Sequence, residues 1–293
     1  MNEPDASSRT PPGIASGWQQ AVAALLADPA QAALARDCYF DGTAVEAGQR
    51  YWASEEWHAA RLLLPHTLGE ALDVGAGRGI ASYALARDGW RVAALEPDRG
   101  TLVGAGAIRS LVSVTGYPIE VFEGYGEQLP LASERFGLIV ARQALHHARD
   151  LRALLKELYR VLRPGGRLVA LRDHVISRSS DLARFHCVHP LHRFYGGEQA
   201  YLLEQYTAAI EEAGFVLKRV IAPFESPINY APLTRETLAD GIVGQLPDFP
   251  GLRNTVKRSL RSAPLMALTL RLLRTVDNRP GRLYSFVAER PGG

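Results

Sequence analysis

The sequence predicts a doubly wound α/β fold: a mostly parallel sheet of seven strands, with an N-terminal helical cap and a helical insertion before the last strand. Three observations predict it. Short apolar runs alternate with amphipathic stretches from residue 70 to residue 173. A glycine-rich turn, Leu72-Asp73-Val74-Gly75-Ala76-Gly77-Arg78-Gly79, joins the first run to the first helical stretch. Residues 225–281 separate the last two strands and are too many for a simple loop.

The elements follow in order. Residues 1–17 are rich in Pro, Ser and Gly and read as a flexible tail. WQQAVAALLADP suits a helix that Pro29 closes. The cap, residues 18–67, holds Tyr39, Phe40, Tyr51, Trp52 and Trp57. These aromatics either pack on the core or form a lid over an organic ligand, and Trp52 is placed in the acceptor pocket on the second reading. The α/β unit spans residues 68–224. EALDV is its first strand, short and apolar as a buried parallel strand should be. IASYALARDG is a helix with Gly89 at its C-terminal cap, and WRVAALEP is the second strand. Residues 99–115 read as a helix weakened by Gly100, Gly104 and Gly106. PIEVFEG and FGLIVAR are the third and fourth strands. DLRALLKELYRVLRPGG is strongly amphipathic, with Asp150 as N-cap and Pro164-Gly165-Gly166 as its stop. GRLVALRD is the fifth strand, a helix lies near 197–213, and FVLKRVIAPF is the sixth strand. In the insertion, TRETLADGIVGQL and NTVKRSLRSAPLMALTLRLLRTV look helical, and RLYSFVAER closes the sheet before a tail ending at residue 293.

Composition narrows the function classes. The chain has 293 residues, 47% hydrophobic and 22% charged, which excludes a wholly disordered chain, a collagen and a coiled-coil rod. Lys and Arg number 33 against 31 Asp and Glu, so no global field calls for nucleic acid. Two cysteines, Cys38 and Cys187, make no disulfide framework and point to a reducing compartment. No apolar run reaches the roughly 20 residues that span a bilayer, so no stable membrane insertion is expected. The polar start has no signal-peptide pattern, and a cytoplasmic location is expected. No oligomeric state is predicted.

The glycine turn carries the first chemical signal. Without Cβ atoms, a ligand can approach the backbone closely there. Glu96 closes the second strand about twenty residues on, where a carboxylate can grip ribose hydroxyls. A dinucleotide loop wants G-x-G-x-x-G, and its third glycine is Ile80 here. The GK[ST] of a phosphate loop is missing too. Asp73 stands two residues before the first glycine, which suits a cationic amino-acid end better than a pyrophosphate.

LDVGAGRG, the acidic end of ALEPD, EGYGEQLPL, FGLIVARQALHH and RVLRPGGRLV occur in that order. Over residues 68–172 the chain resembles class I S-adenosylmethionine-dependent methyltransferases, Rossmann-like enzymes, and is most similar to the small-molecule branch with the quinone-biosynthesis methyltransferases. The resemblance implies S-adenosyl-L-methionine as cofactor. It places the methionine portion over Gly75 and Gly77, with backbone contacts from Ala76 and Asp73 orienting the amino-acid end. Glu96 would accept from both ribose hydroxyls. Where the family carries an Asp near the adenine amino group, this chain has Tyr125. Its ring can stack or hydrogen-bond, Glu127 is the nearest acid, and the Gly126 backbone can bind a ring nitrogen. Arg142 and Gln143 would line the cofactor near its sulfonium.

Methyl transfer from a sulfonium is an in-line displacement, and an oxygen nucleophile of high pKa needs a base. His146, beside His147 at the end of the fourth strand, is the candidate catalytic residue. Asp173, His174, His186, His189 and His192 follow the fifth strand, on the side where open α/β sheets bind ligands. His174, His189 and His192 are placed in the substrate pocket. The spacing of His186, His189 and His192 could suit a metal, but Pro190 interrupts the helix and no carboxylate-rich set accompanies it, so no metal is expected. Lys257, Arg258, Arg261, Arg271 and Arg274 read as a solvated face over a packed helix rather than a membrane-surface helix.

The expected function is methyl transfer to a small or medium organic acceptor: a polyketide, a quinone-like ring, a glycan unit or a lipid. The histidines favour oxygen slightly over carbon or nitrogen. The alternative is a non-catalytic nucleoside-binding or scaffold protein that kept the fold, which Tyr125 favours. A nucleic-acid acceptor is disfavoured because ARQALHH stands where such enzymes carry [DNS]-PP-[YFW]. Ile80 disfavours a dehydrogenase.

Overall fold

A computed structural model describes residues 14–189, 191–192, 198–247, 249 and 251–292. Eight strands lie in one sheet among these residues: β1 (Glu70–Val74), β2 (Arg91–Leu95), β3 (Ile119–Phe122), β4 (Phe136–Arg142), β5 (Leu162–Ile176), β6 (Tyr201–Leu202), β7 (Val216–Ile221) and β8 (Arg282–Glu289). Their order is β3-β2-β1-β4-β5-β8-β7, with β6 beside β5. β8 runs antiparallel to both its neighbours, and the other pairings are parallel. The order reverses between β1 and β4, which opens a crevice beyond their C-terminal ends.

The central strands are largely apolar, as burial between helices on both faces requires, with Asp73, Arg142, Arg172, Asp173 and His174 among the polar exceptions. On one face, α7 (Leu151–Val161) buries Leu154, Leu155 and Leu158 beside Tyr206 and Ile210 of α9 (Leu203–Glu212). Asp150 starts α7 by accepting from the amides of Arg152 and Ala153. On the other face lie α5 (Ile80–Arg87) and α6 (Ala105–Thr115), together with α3 (Ala44–Trp52) and α4 (Glu55–Arg61) of the cap. Tyr51 and Trp57 are fully buried there, so these cap aromatics are core residues. Thr43 and Glu46 close a capping box at the start of α3, and Ser54 caps α4.

Several elements differ from the sequence reading. The first helix, α1, begins at Ile14, so it includes residues assigned to the tail; residues 1–13 lie outside the described ones. It ends at Ala27, and Pro29 opens a 3-10 turn that Asp28 caps. The helix expected from residue 99 starts at Ala105, because Gly104 sits at φ +114°. Helix α7 stops at Val161, before Pro164-Gly165-Gly166, where Leu162 already takes extended backbone. The eighth strand, β6, pairs Tyr201 and Leu202 with Val175 and Ile176. It fills the edge of β5 left bare where β4 ends, since Arg142 pairs with Leu171.

The insertion folds around its own small core of Tyr230, Leu238, Met266 and Leu270. Its last helix, Ala263–Val276, starts on Pro264, which therefore opens a helix instead of interrupting one. Leu268, Leu272 and Val276 on it are exposed beside Arg271 and Arg274, so its outer face mixes apolar and basic groups.

Candidate active site

The glycine turn sits at the C-terminal end of β1. Gly75, Gly77 and Gly79 take φ of +66°, +55° and +80°, a region costly for residues with a Cβ. A Cβ on Gly75 would stand 2.9 Å from that of Ala144, just after β4. A Cβ on Gly77 would enter open space. The turn thus leans on β4 at Gly75 and presents bare backbone at Gly77. Ala76 is buried, and its amide donates to the Leu95 carbonyl.

Two buried carboxylates flank this turn. Glu96 follows β2; its two oxygens accept from the amides of Gly77 (2.7 Å) and Asp98 (2.9 Å). Burial pushes its carboxyl up to about 7. Asp73, fully buried on β1, accepts from Ser82 Oγ at 2.6 Å and is pushed up to about 6 by burial. Both carboxyls are short of compensating charge, a condition that a cationic ligand would relieve. The bare backbone at Gly77 and these two acids together fit S-adenosylmethionine.

The cap closes over one edge of the turn. Arg78 donates to the carbonyls of Tyr39 (2.7 Å) and Gly42 (2.6 Å). Gln19 of α1 reaches the loop after β2, donating to Val103 O and to Asp98 Oδ1. At the end of β4, Arg142 grips the buried Glu56 of α4 at 2.6 and 3.1 Å, and Arg172 approaches the same carboxylate at 3.5 Å. Burial alone would raise the Glu56 carboxyl, but the two guanidinium groups outweigh it and hold it below the usual range. Arg142 is therefore committed to the cap, and Gln143, at φ +51°, accepts from it at 2.9 Å. Gln143 directly follows the end of β4.

At the predicted adenine edge, Tyr125 is 46% exposed and lies under the Arg149 guanidinium, 4.5 Å from the ring centroid. Glu127 accepts from the Arg149 amide at 2.8 Å. That carboxylate is engaged in positioning the turn before α7. Gly126 packs beneath Leu154, which a Cβ would strike at 2.4 Å.

Trp52 does not belong with these residues. Its indole donates to Asp88 at 2.7 Å and lies under Arg87, at the far end of α5 from the glycine turn. Trp57 donates to the other oxygen of Asp88. The sequence placed Trp52 in the acceptor pocket because it is aromatic and close to Tyr51; its helix phase turns it toward the opposite rim of the sheet.

The histidines do converge. His146 is 1% exposed; its amide and its Nδ1 both donate to Asp173 Oδ1, at 3.1 and 2.9 Å. Its Nε2 stands 3.3 Å from Glu198 Oε2. Burial alone would lower this imidazole, but Asp173 and Glu198 outweigh it and hold it up at about 9. At neutral pH the ring already carries a proton, so it is no free base of the kind expected from the sequence. The His174 ring lies 4.7 Å from that of His146, and burial keeps it neutral. Its Nδ1 donates to the Gly281 carbonyl at 2.9 Å. His189 packs against His174 at 4.9 Å between ring centroids. His192 stacks on His186 at 4.0 Å and 7°, and His186 Nε2 donates to the Glu198 carbonyl. Sequence reasoning missed Glu198, whose only signal was its place in FYGGEQ after the histidines. It missed the pairing of His146 with Asp173 as well.

A cavity of about 520 Å³ is lined by Phe224, Tyr230, Leu233, Arg279 and Gly281 among others, and by none of these histidines, Glu198 or the glycine turn. Gly281 is the residue that receives the His174 bond, so cavity and cluster share a wall.

Comparison with known proteins gives this arrangement a family. The methyltransferase-domain family matches residues 72–170. Residues 72–170 are a methyltransferase domain, similar to those of class I S-adenosylmethionine-dependent enzymes. The domain is similar to a ubiquinone biosynthesis O-methyltransferase of Azorhizobium caulinodans, 30% identical over 112 residues, 38% of this chain and 43% of that protein. It is also similar to a demethylmenaquinone methyltransferase of Corynebacterium glutamicum, 35% identical over 99 residues, 34% of this chain and 39% of that protein. The chain thus spans about two fifths of the length of these curated relatives. A putative methyltransferase from Bacillus halodurans shares the fold, with a TM-score of 0.54 and 21% identity over 81% of this chain and 99% of that one. No described helix of this methyltransferase-domain protein is long and apolar enough to cross a membrane.

Proposed function

We propose that the protein methylates a small or medium organic acceptor, with oxygen the favoured atom. One observation carries this reading: the bare backbone of Gly77 faces the Glu96 carboxylate at the C-terminal end of β1; the 520 Å³ cavity that meets the histidine cluster at Gly281 is the proposed acceptor space. S-adenosylmethionine, when bound, supplies the electrophilic methyl group. Gly75, Ala76 and Gly77 would carry its amino-acid portion on their backbone, Asp73 would orient its cationic end, and Glu96 would accept from the ribose. Tyr125 and Gly126 would border the adenine. Gln143 would stand between cofactor and acceptor.

The cavity suits a ring or chain with a polar handle. Its walls include Phe224, Tyr230 and Leu233 beside Arg279, which Asp277 holds through both carboxylate oxygens, and Arg282, which donates to Asp277 O and Ser177 Oγ. The proton of an acceptor hydroxyl would pass to Nε2 of His174, the neutral imidazole of the His146–His174–Glu198 cluster, whose Nδ1 already donates to Gly281 O. His146 keeps its proposed place in catalysis as a member of that cluster. Acceptors of this description include quinone-like and polyketide rings, glycan units and lipids, handled in the cytoplasm.

The test is incubation of the full chain with S-adenosylmethionine and a panel of these acceptors, read by mass gain of one methyl. Turnover that falls in His146→Ala while S-adenosylhomocysteine still binds supports the reading. A second reading, binding without turnover, is favoured by Tyr125 and by the engagement of Glu127 with Arg149. It predicts calorimetric binding of S-adenosylhomocysteine and no methylated product from any acceptor.

A further inference from the structure

We infer that His146, His174 and Glu198 form a binding site for one divalent transition-metal ion of the zinc class. One ligand atom from each of these three buried side chains lies within 4.8 Å of the others. Two imidazoles and a carboxylate are a known donor set for catalytic zinc, and imidazole ligands select transition metals over magnesium or calcium.

The surroundings of the two histidines carry the argument further than proximity does. A metal-bound histidine characteristically donates its second ring nitrogen to a carboxylate or a backbone carbonyl, which fixes its tautomer and orientation. Both histidines do so here. His146 Nδ1 donates to Asp173 Oδ1 at 2.9 Å, and His174 Nδ1 donates to Gly281 O at 2.9 Å. Each ring is thereby set with Nε2 as its remaining ligand atom, and on His146 the ion would displace the proton that faces Glu198 Oε2. The third ligand is held too, since His186 Nε2 donates to the Glu198 backbone carbonyl. Three residues, each fixed by a separate outer partner, converge on one point.

Distances agree with a site that tightens on loading. Donor atoms around a tetrahedral zinc ion lie roughly 3.4 Å apart. His146 Nε2 and Glu198 Oε2 are already 3.3 Å apart. The third donor would move inward by on the order of 1 Å. The side chain of His147 is 40% exposed, and its Nε2 lies 3.9 Å from Glu198 Oε2, at the border between the set and solvent. Three protein ligands leave one position for water or an acceptor oxygen, as in catalytic rather than structural sites. An ion there would lower the pKa of a bound hydroxyl. The site itself does not depend on the methyl-transfer reading. It also departs from the sequence reading, which expected no metal and sought one at His186, His189 and His192. Those residues stand around the set instead of forming it.

The test uses the tag-free full chain after chelator treatment, titrated with Zn²⁺ by calorimetry and with Co²⁺ by visible absorption. Binding of one ion per chain is expected, with cobalt d–d bands, no thiolate charge-transfer band, and no competition from Mg²⁺. His174→Ala and Glu198→Gln should each weaken Zn²⁺ by more than about 100-fold, and Asp173→Asn by about 10- to 100-fold. Far-UV circular dichroism checks that each variant is folded; Zn²⁺-dependent thermal stabilisation of the wild type covers a variant that is not. Absence of saturable binding by the wild type would overturn the site. Undiminished affinity in folded His174→Ala and Glu198→Gln would do the same. Methyl transfer enters none of these readouts, so failure of the site and failure of the proposed activity are separable.

Discussion

Asp173 Oδ1 receives two donors from one residue, the amide of His146 at 3.1 Å and its ring Nδ1 at 2.9 Å. β4 ends at Arg142 while β5 runs on to Ile176, and this double bond ties the turn after β4 to the overrunning part of β5. It acts as a side-chain continuation of the β4–β5 ladder. Removing the carboxylate leaves a buried imidazole with one partner fewer. Asp173→Ala is expected to cost roughly 3–5 kcal/mol. Asp173→Asn keeps an acceptor and should cost roughly 1–3 kcal/mol. Urea denaturation followed by circular dichroism measures both, and an alanine variant within about 0.5 kcal/mol of wild type would deny the tie.

Glu96 makes the protein pH-sensitive at its cofactor edge. Burial raises this carboxyl from 4.5 to about 7, so the folded chain holds a proton that the unfolded chain has released. Its contribution to stability is therefore greatest below pH 4.5 and declines as pH rises toward 7, by roughly 3 kcal/mol in all. Asp73 acts in the same direction, raised from 3.8 to about 6. In the proposed site ribose hydroxyls would bind the ionised form of Glu96, so cofactor affinity should change oppositely. S-adenosylhomocysteine is expected to bind about tenfold tighter at pH 8 than at pH 6. Glu96→Gln should bind more weakly and lose most of that slope. Calorimetry across this range decides it.

Gly75 and Gly77 separate two effects that a glycine substitution usually confounds. Gly75→Val meets Ala144 at 2.9 Å and sits at φ +66°, so it should destabilise the turn and abolish cofactor binding together. Gly77→Ala meets no protein atom within 4 Å. Its stability cost should be the backbone term alone, about 1–2 kcal/mol at positive φ. Cofactor affinity should nonetheless fall at least tenfold, because the methyl would occupy the space proposed for the ligand. Thermal melts paired with calorimetry distinguish the two outcomes.

The α/β layering was legible because it is written in local periodicity. Alternating apolar runs and a glycine turn at the first strand end specify a crevice before any contact is known. Glu96 was legible for the same reason, being tied to the end of β2 and hence to the turn it faces. The histidine cluster was only half legible. His146 follows β4 and His174 lies near the end of the adjacent β5, and that adjacency follows from strand order. Glu198 arrives from a loop beyond the His-rich stretch, and no period marks it. Boundaries set by tertiary pairing escaped as well: β5 begins at Leu162 because Phe136 is there to pair with it, despite the Pro-Gly-Gly that follows.

Trp52 offers the clearest test of how the cap is used. Its indole donates to Asp88 at 2.7 Å, and Arg87 lies 3.7 Å over its ring, so it clamps α3 to the far end of α5. Asp88 takes Trp57 on its other oxygen at 3.0 Å, so one carboxylate pins α3 and α4 together. Trp52→Ala removes one indole, one hydrogen bond to a charged group and one cation–π contact. A loss of about 2 kcal/mol is expected, smaller than for a fully buried tryptophan because the ring is only partly covered. A residue of the acceptor pocket would instead raise KM with little change in stability. Chemical denaturation of Trp52→Ala should therefore show the loss, while its S-adenosylhomocysteine affinity and acceptor KM stay within twofold of wild type. A KM raised tenfold at unchanged stability would return Trp52 to the pocket and recast α3 as part of a lid.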